Sequence, residues 1–137
     1  MSKQFVKELK EEIIYMNQEG KKVFYCNVEL TIDIMGGKWK PLIIHQIRDH
    51  KTIRYGELKR KIPNINERVL TRQLRELEKH KLIHRKVYNE VPQKVEYSLT
   101  EVGRSLAPIL HELGEWGKKY NSKFNYGEID FKEECEF

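Results

Sequence analysis

Between Asn66 and Lys79 the chain places Arg68, Arg72, Arg75 and Lys79 at helical spacing, with Leu70, Leu74 and Leu77 about half a turn away. Guanidinium and ammonium groups are charged donors, so a row of them on one face can engage a polyanion such as a phosphate backbone. The leucines opposite can anchor the same helix on a small core. An ordinary amphipathic surface helix has the same two faces, so the meaning of the basic row depends on what surrounds it.

The 137 residues, with a net charge of +5, are sized for one domain with appended segments. Residues 23–120 hold 19 Lys and Arg against 12 Asp and Glu, residues 1–22 hold 5 against 4, and residues 121–137 hold 2 against 5. This divides the chain into an N-terminal extension (1–22), a basic domain (23–120) and an acidic tail (121–137). A positive domain attracts nucleic acid, an anionic membrane or an acidic protein. The absence of a long apolar run, and of an apolar stretch behind Lys3, Lys7 and Lys10, argues against a membrane span or secretory signal and predicts a cytoplasmic location.

Catalytic and metal chemistry find little support. Cys26 and Cys135 are far apart, and His45, His50, His80, His84 and His111 have no metal-site spacing. There is no phosphate-binding glycine loop and no recognisable nucleophile and base set, so neither an enzyme nor a cofactor is expected.

The elements that must position the basic row can be read in order. Phe5, Val6, Leu9, Ile13 and Met16 among charges predict an amphipathic helix over 4–16. Asn27 is the expected cap of a short helix ending at Met35, and Gly36-Gly37 turns the chain. Pro41 suits the first turn of a second helix packed through Trp39, Leu42, Ile43 and Ile47, with Asp49-His50-Lys51 as its exit. A third helix, Tyr55 to Lys61, is anchored by Leu58 and ends before Pro63-Asn64. Asn66 can cap the basic helix, which makes the third and fourth helices a helix-turn-helix candidate.

Beyond Lys81 the period changes to two. Ile83, Arg85 and Val87 alternate with His84, Lys86 and Tyr88, and a second run contains Val95, Tyr97 and Leu99, which predicts a hairpin with Pro92, Gln93 and Lys94 at its tip. Thr100 is the expected cap of a final helix whose apolar strip includes Val102, Leu106, Ile109, Leu110, Leu113 and Trp116. Pro108 predicts a kink or break after Ala107. The tail lacks periodicity, and either an exposed terminus or a segment docked across a dimer or over the basic surface fits its composition.

Cys26, Gly36-Gly37-Lys38-Trp39, Arg54-Tyr55-Gly56-Glu57-Leu58 and Leu70 to Glu78 occur in the order of the HxlR-type winged helix-turn-helix transcription regulators, which this chain resembles over residues 26–120. Val91 to Thr100 and Gly103 extend the resemblance. It implies an α+β fold: a winged helix-turn-helix with a two-stranded wing and flanking N- and C-terminal dimerisation helices. It further implies a bacterial or archaeal homodimer on a roughly palindromic operator in double-stranded DNA, and some members of the family sense electrophiles through the cysteine matching Cys26. Tyr55 replaces a commoner Phe, and Asn66 a commoner Ser.

Within that frame Arg68, Thr71 and Arg72 are the leading candidates to face the major groove, while Arg75 and Lys79 suit phosphates. Tyr55 and Lys59 would position the preceding helix, and Lys86 and Lys94 would bring charge to the wing. Leu9, Ile13, Leu106, Leu110 and Trp116 are the expected dimer contacts. Cys26 is a candidate sensor of thiol oxidation or electrophiles, favoured by a helix N-terminus and by Lys21 or Lys22, against the alternative of an inert buried thiol. The competing function is a winged protein-interaction module that binds an acidic partner.

Overall fold

The computed structural model describes residues 5–9 and 12–129, with side-chain surroundings from residue 16 onward. The backbone forms two compact units, one ending at Gly36 and the other beginning at Gly37.

The first unit corrects the expected N-terminal helix. Residues Phe5–Leu9 (β1) and Glu12–Met16 (β2) pair as antiparallel strands, with Phe5 opposite Met16 and Leu9 opposite Glu12. Val6, Ile13, Ile14 and the aromatics Phe5 and Tyr15 favour extended backbone, and this preference prevails over the helical spacing of the apolar residues. The chain then turns at Asn17, whose Oδ1 accepts the amide hydrogens of Glu19 and Lys21 at 3.0 and 2.9 Å. Gly20 sits at φ 79° in that turn, where a side chain would be strained.

Helix α1 spans Asn27–Met35. Its cap position is Cys26 rather than Asn27, and no side chain caps the helix there. Instead Glu29, in the first turn, reaches back so that its carboxylate accepts the Tyr25 amide at 2.6 Å, a favourable place for negative charge at the positive end of a helix. Gly36 ends the unit where a Cβ would lie 2.1 Å from the Ile32 carbonyl oxygen.

The second unit is a winged helix-turn-helix. Helix α2 (Trp39–His50) takes Pro41 in its first turn, as expected, and buries Ile43, Ile44 and Ile47. A short strand β3 (Thr52–Arg54) follows, and the sequence reading missed it because three residues carry too little alternation to see. It pairs antiparallel with a later strand, β5 (Lys94–Leu99), Ile53 opposite Tyr97, and β5 pairs in turn with β4 (Ile83–Tyr88), making the order β3-β5-β4 and the wing three-stranded at its base. Helix α3 (Tyr55–Lys61) buries Leu58, and helix α4 (Glu67–Lys79) buries Leu70, Leu74 and Leu77. These side chains and Ile53 are the centre of the core, and burying each aliphatic contributes about 1.5–3 kcal/mol.

Strands β4 (Ile83–Tyr88) and β5 (Lys94–Leu99) form the wing hairpin, so Lys94 opens the second strand instead of lying in the tip. Thr100 caps the next helix as expected: its hydroxyl accepts the Gly103 amide at 2.9 Å and donates to the Lys81 carbonyl at 2.7 Å. The expected long final helix is instead two. Helix α5 (Glu101–Ser105) ends at Leu106, and α6 (Ala107–Phe124) restarts with Pro108 in its first turn, where the missing amide hydrogen is tolerated. The break therefore falls just before Ala107, not after it. Helix α6 also runs into the expected tail, ending at Asn125 in the left-handed region.

Candidate nucleic-acid interface

The recognition-type helix α4 is held at both ends. Asn66 Oδ1 accepts the Val69 amide at 2.9 Å, as the sequence suggested. At the other end Lys81 adopts φ 61°, and the amides of His80 and Leu82 return to the carbonyls of Glu76 and Leu77 at 3.0 Å. With its leucines buried, the helix exposes Arg68, Arg72, Arg75 and Lys79 along the opposite side. All four line one open groove of about 660 Å³, together with Tyr55, Thr71, Glu67 and Glu76.

Tyr55 and Thr71 are half-buried and joined. The tyrosine hydroxyl lies 3.1 Å from the threonine hydroxyl and donates to the Glu67 carbonyl at 3.2 Å. Tyr55 thus braces the start of α3 against α4. Lys59 is half-buried on α3 and does not line the groove.

The two carboxylates in the groove were missed by sequence reasoning, which followed the cations. Glu76 comes one residue after Arg75 and four after Arg72, a spacing that places it on the flank of the basic row. Beneath it, Lys40 of α2 is 5% exposed, and its Nζ lies 2.9 Å from Glu76 Oε2. Arg85 was also passed over. It is exposed on β4 and shares a smaller cleft of about 270 Å³ with Arg75, Glu78 and Tyr97.

In the wing, Lys86 faces Glu96 and Tyr88 faces Lys94 across the two strands. The Tyr88 ring has the ammonium of Lys86 4.7 Å and that of Lys94 4.4 Å from its centroid, a cation–π arrangement. Glu96 binds Lys94 at 3.1 Å and accepts the Tyr88 hydroxyl at 2.9 Å. Hydrogen bonds from Lys94 and Tyr88 hold the Glu96 carboxyl below its ordinary range. Of the two wing lysines Lys86 is the exposed one, whereas Lys94 already has a carboxylate partner.

Of the expected dimer residues, Leu106 and Leu110 are buried within the chain's own fold and offer no free surface. Trp116 is 67% exposed, in a stripe with Ile109, Leu113, Tyr120 and Phe124 along α6. Trp116 and Tyr120 stack at 5.2 Å between ring centroids, and Tyr120 meets Phe124 at 4.8 Å. Leu9 lies on β1 and Ile13 on β2, but their side chains fall outside the described residues.

Cys26 is an exposed free thiol, which removes the buried alternative. The lysines expected to assist it are engaged elsewhere: Lys22 binds Asp33 at 3.1 Å and Lys21 approaches Glu19 at 3.8 Å. Cys135 lies outside the described residues. Among the described residues no group of His, Cys, Asp and Glu is placed to hold a metal ion, and no helix is long and apolar enough to cross a membrane.

Comparison with known proteins agrees with this architecture. Residues 34–125 match the family model described as HxlR-like helix-turn-helix. An HTH-type transcriptional regulator of Methanothermobacter thermautotrophicus is 52% identical over 103 residues, covering 75% of this chain and 78% of that protein. The redox regulator HypR in its oxidised form is 50% identical with a TM-score of 0.63, covering 69% of this chain and 96% of that one. Diamide-treated YodB from B. subtilis is 32% identical with a TM-score of 0.60, covering 72% of this chain and 97% of that one. With the buried leucine face, the capped basic helix and the paired wing in place, the chain belongs to the HxlR-like helix-turn-helix family of transcriptional regulators.

Proposed function

We propose that this regulator works as a homodimer that binds a roughly palindromic operator in double-stranded DNA through α4 and the wing. The observation that carries the reading is the division of α4: three leucines buried, four cations lining one open groove. A helix so presented suits the major groove, where base edges distinguish all four pairs. Arg68 and Arg72, early in the helix, are assigned to bases. Arg75, Lys79 and Lys86 are assigned to phosphates, and the Tyr55–Thr71 pair sets the angle of α4.

A second copy would bring a second α4 to a groove one turn away, about 34–36 Å along the duplex. The apolar stripe of α6 from Ile109 to Phe124 is the surface available for that association. Titration of the protein against DNA from its own upstream region and against a scrambled duplex of equal length tests the reading. Preference for the first, with affinity falling as salt rises, is expected. Salt-sensitive binding to an acidic protein with no preference between the two DNAs would favour the interaction module instead.

We also assign Cys26 the role of thiol sensor. Its exposure supports this, as does the likeness to HypR and YodB, which were described in oxidised and diamide-treated forms. Diamide should change DNA affinity in the wild type and leave Cys26→Ser unaffected. A response that persists in Cys26→Ser would exclude this thiol as the sensor.

A further inference from the structure

The basic groove contains a carboxylate that ought to work against it. Glu76 is 43% exposed on the flank of the row made by Arg72, Arg75 and Lys79, so a phosphate strand passing that flank would meet negative charge. Directly beneath, Lys40 is buried and its ammonium sits 2.9 Å from the Glu76 carboxylate. A lysine removed from water is costly unless paired, so this position is a poor choice for a purely structural cation. Its charge does, however, cancel that of Glu76 from below while keeping the ammonium out of the groove.

We propose that Lys40 is a buried counter-charge for the recognition groove: by pairing with Glu76 it keeps the flank of α4 neutral to an approaching phosphate backbone. Lys40 is thereby a positioning residue that reaches DNA only through Glu76. The inference rests on the reading of α4 as a DNA-binding helix. It adds α2, which carries no groove-lining residue, to the parts that set affinity.

The test compares wild type, Lys40→Met, Glu76→Gln and the double variant for binding to a mixed-sequence DNA duplex at several salt concentrations, with thermal unfolding of each. Lys40→Met keeps most of the side-chain volume but leaves Glu76 uncompensated, and it should weaken binding by about fivefold. Adding Glu76→Gln to Lys40→Met should recover most of that loss, and the gap between wild type and Lys40→Met should narrow as salt rises. A merely structural clamp between α2 and α4 would make the double variant bind as poorly as Lys40→Met, and that result overturns the proposal. Unchanged binding by a folded Lys40→Met does so too. If Lys40→Met does not fold, Lys40→Gln alone and combined with Glu76→Gln takes its place: recovery of binding in the double variant supports the counter-charge, and no recovery overturns it. Wild type that fails to bind the duplex at any salt removes the DNA-binding reading itself, and the inference with it.

Discussion

The hydroxyl groups of Tyr55 and Thr71 meet at 3.1 Å, joining the first residue of α3 to the fifth of α4. Tyr55→Phe should lower stability by about 0.5–1.5 kcal/mol. Thr71→Val should add little more in that background, because the bond is already lost. A double-mutant cycle by urea unfolding measures the coupling, and additive losses would show that the two hydroxyls act independently.

Gly103 lies where α5 crosses the chain leaving α4, and a Cβ there would be 2.0 Å from the Leu82 carbonyl oxygen. The same carbonyl accepts the Thr100 amide at 3.0 Å, so the backbone has little room to move aside. Gly103→Ala should destabilise by about 1–3 kcal/mol or more, read from the denaturant midpoint. Gly114→Ala, with nothing within 4 Å of its Cβ position, is the matched control and should be neutral or stabilising.

Arg72 and Lys86 should separate selection from attraction. Arg72→Ala is expected to change the ranking of operator over scrambled DNA, by about 1–3 kcal/mol if its guanidinium pairs with a guanine. Lys86→Ala should weaken both DNAs alike and reduce the salt slope by about one. Lys94→Ala should have the smaller effect of the two wing variants, because Lys94 must leave Glu96 before it can serve a phosphate. Fluorescence anisotropy over a salt series distinguishes these outcomes.

Trp116 stands on the exposed stripe of α6, stacked on Tyr120. Trp116→Glu should convert the proposed dimer to monomer in sedimentation at micromolar concentration without unfolding it. A charge there is solvated in the monomer but unpaired in an apolar seam. Leu110→Glu should unfold the protein instead, since Leu110 belongs to the core.

Glu96 should titrate below the ordinary glutamate range in a carboxyl-detected NMR pH series, and Tyr88→Phe should move its midpoint upward by removing one of the two hydrogen bonds that lower it. The sign follows from linkage. A carboxyl depressed in the folded state stabilises above its unfolded pKa, and that contribution fades as pH falls through the folded value. Wing stability should therefore decline on the acid side only. An unmoved midpoint in Tyr88→Phe would leave the lowering to the cations Lys94 and Arg54.

Local chemistry determined much of this protein in advance. The leucine and arginine spacing defined both faces of α4, Asn66 and Thr100 capped the helices they precede, and period-two alternation marked the wing, because each of these signals lies within a few residues of its effect. Where two local preferences competed, tertiary pairing decided: β1 and β2 formed in place of a helix, and β3 exists because β5 offers it an edge. Only the folded chain could separate Leu106 and Leu110, which face inward, from Trp116, which does not, since all three share one apolar strip in the sequence. The Lys40–Glu76 pair was equally out of reach. It joins residues 36 positions apart, and a charge becomes significant there through burial, which spacing along the chain does not encode.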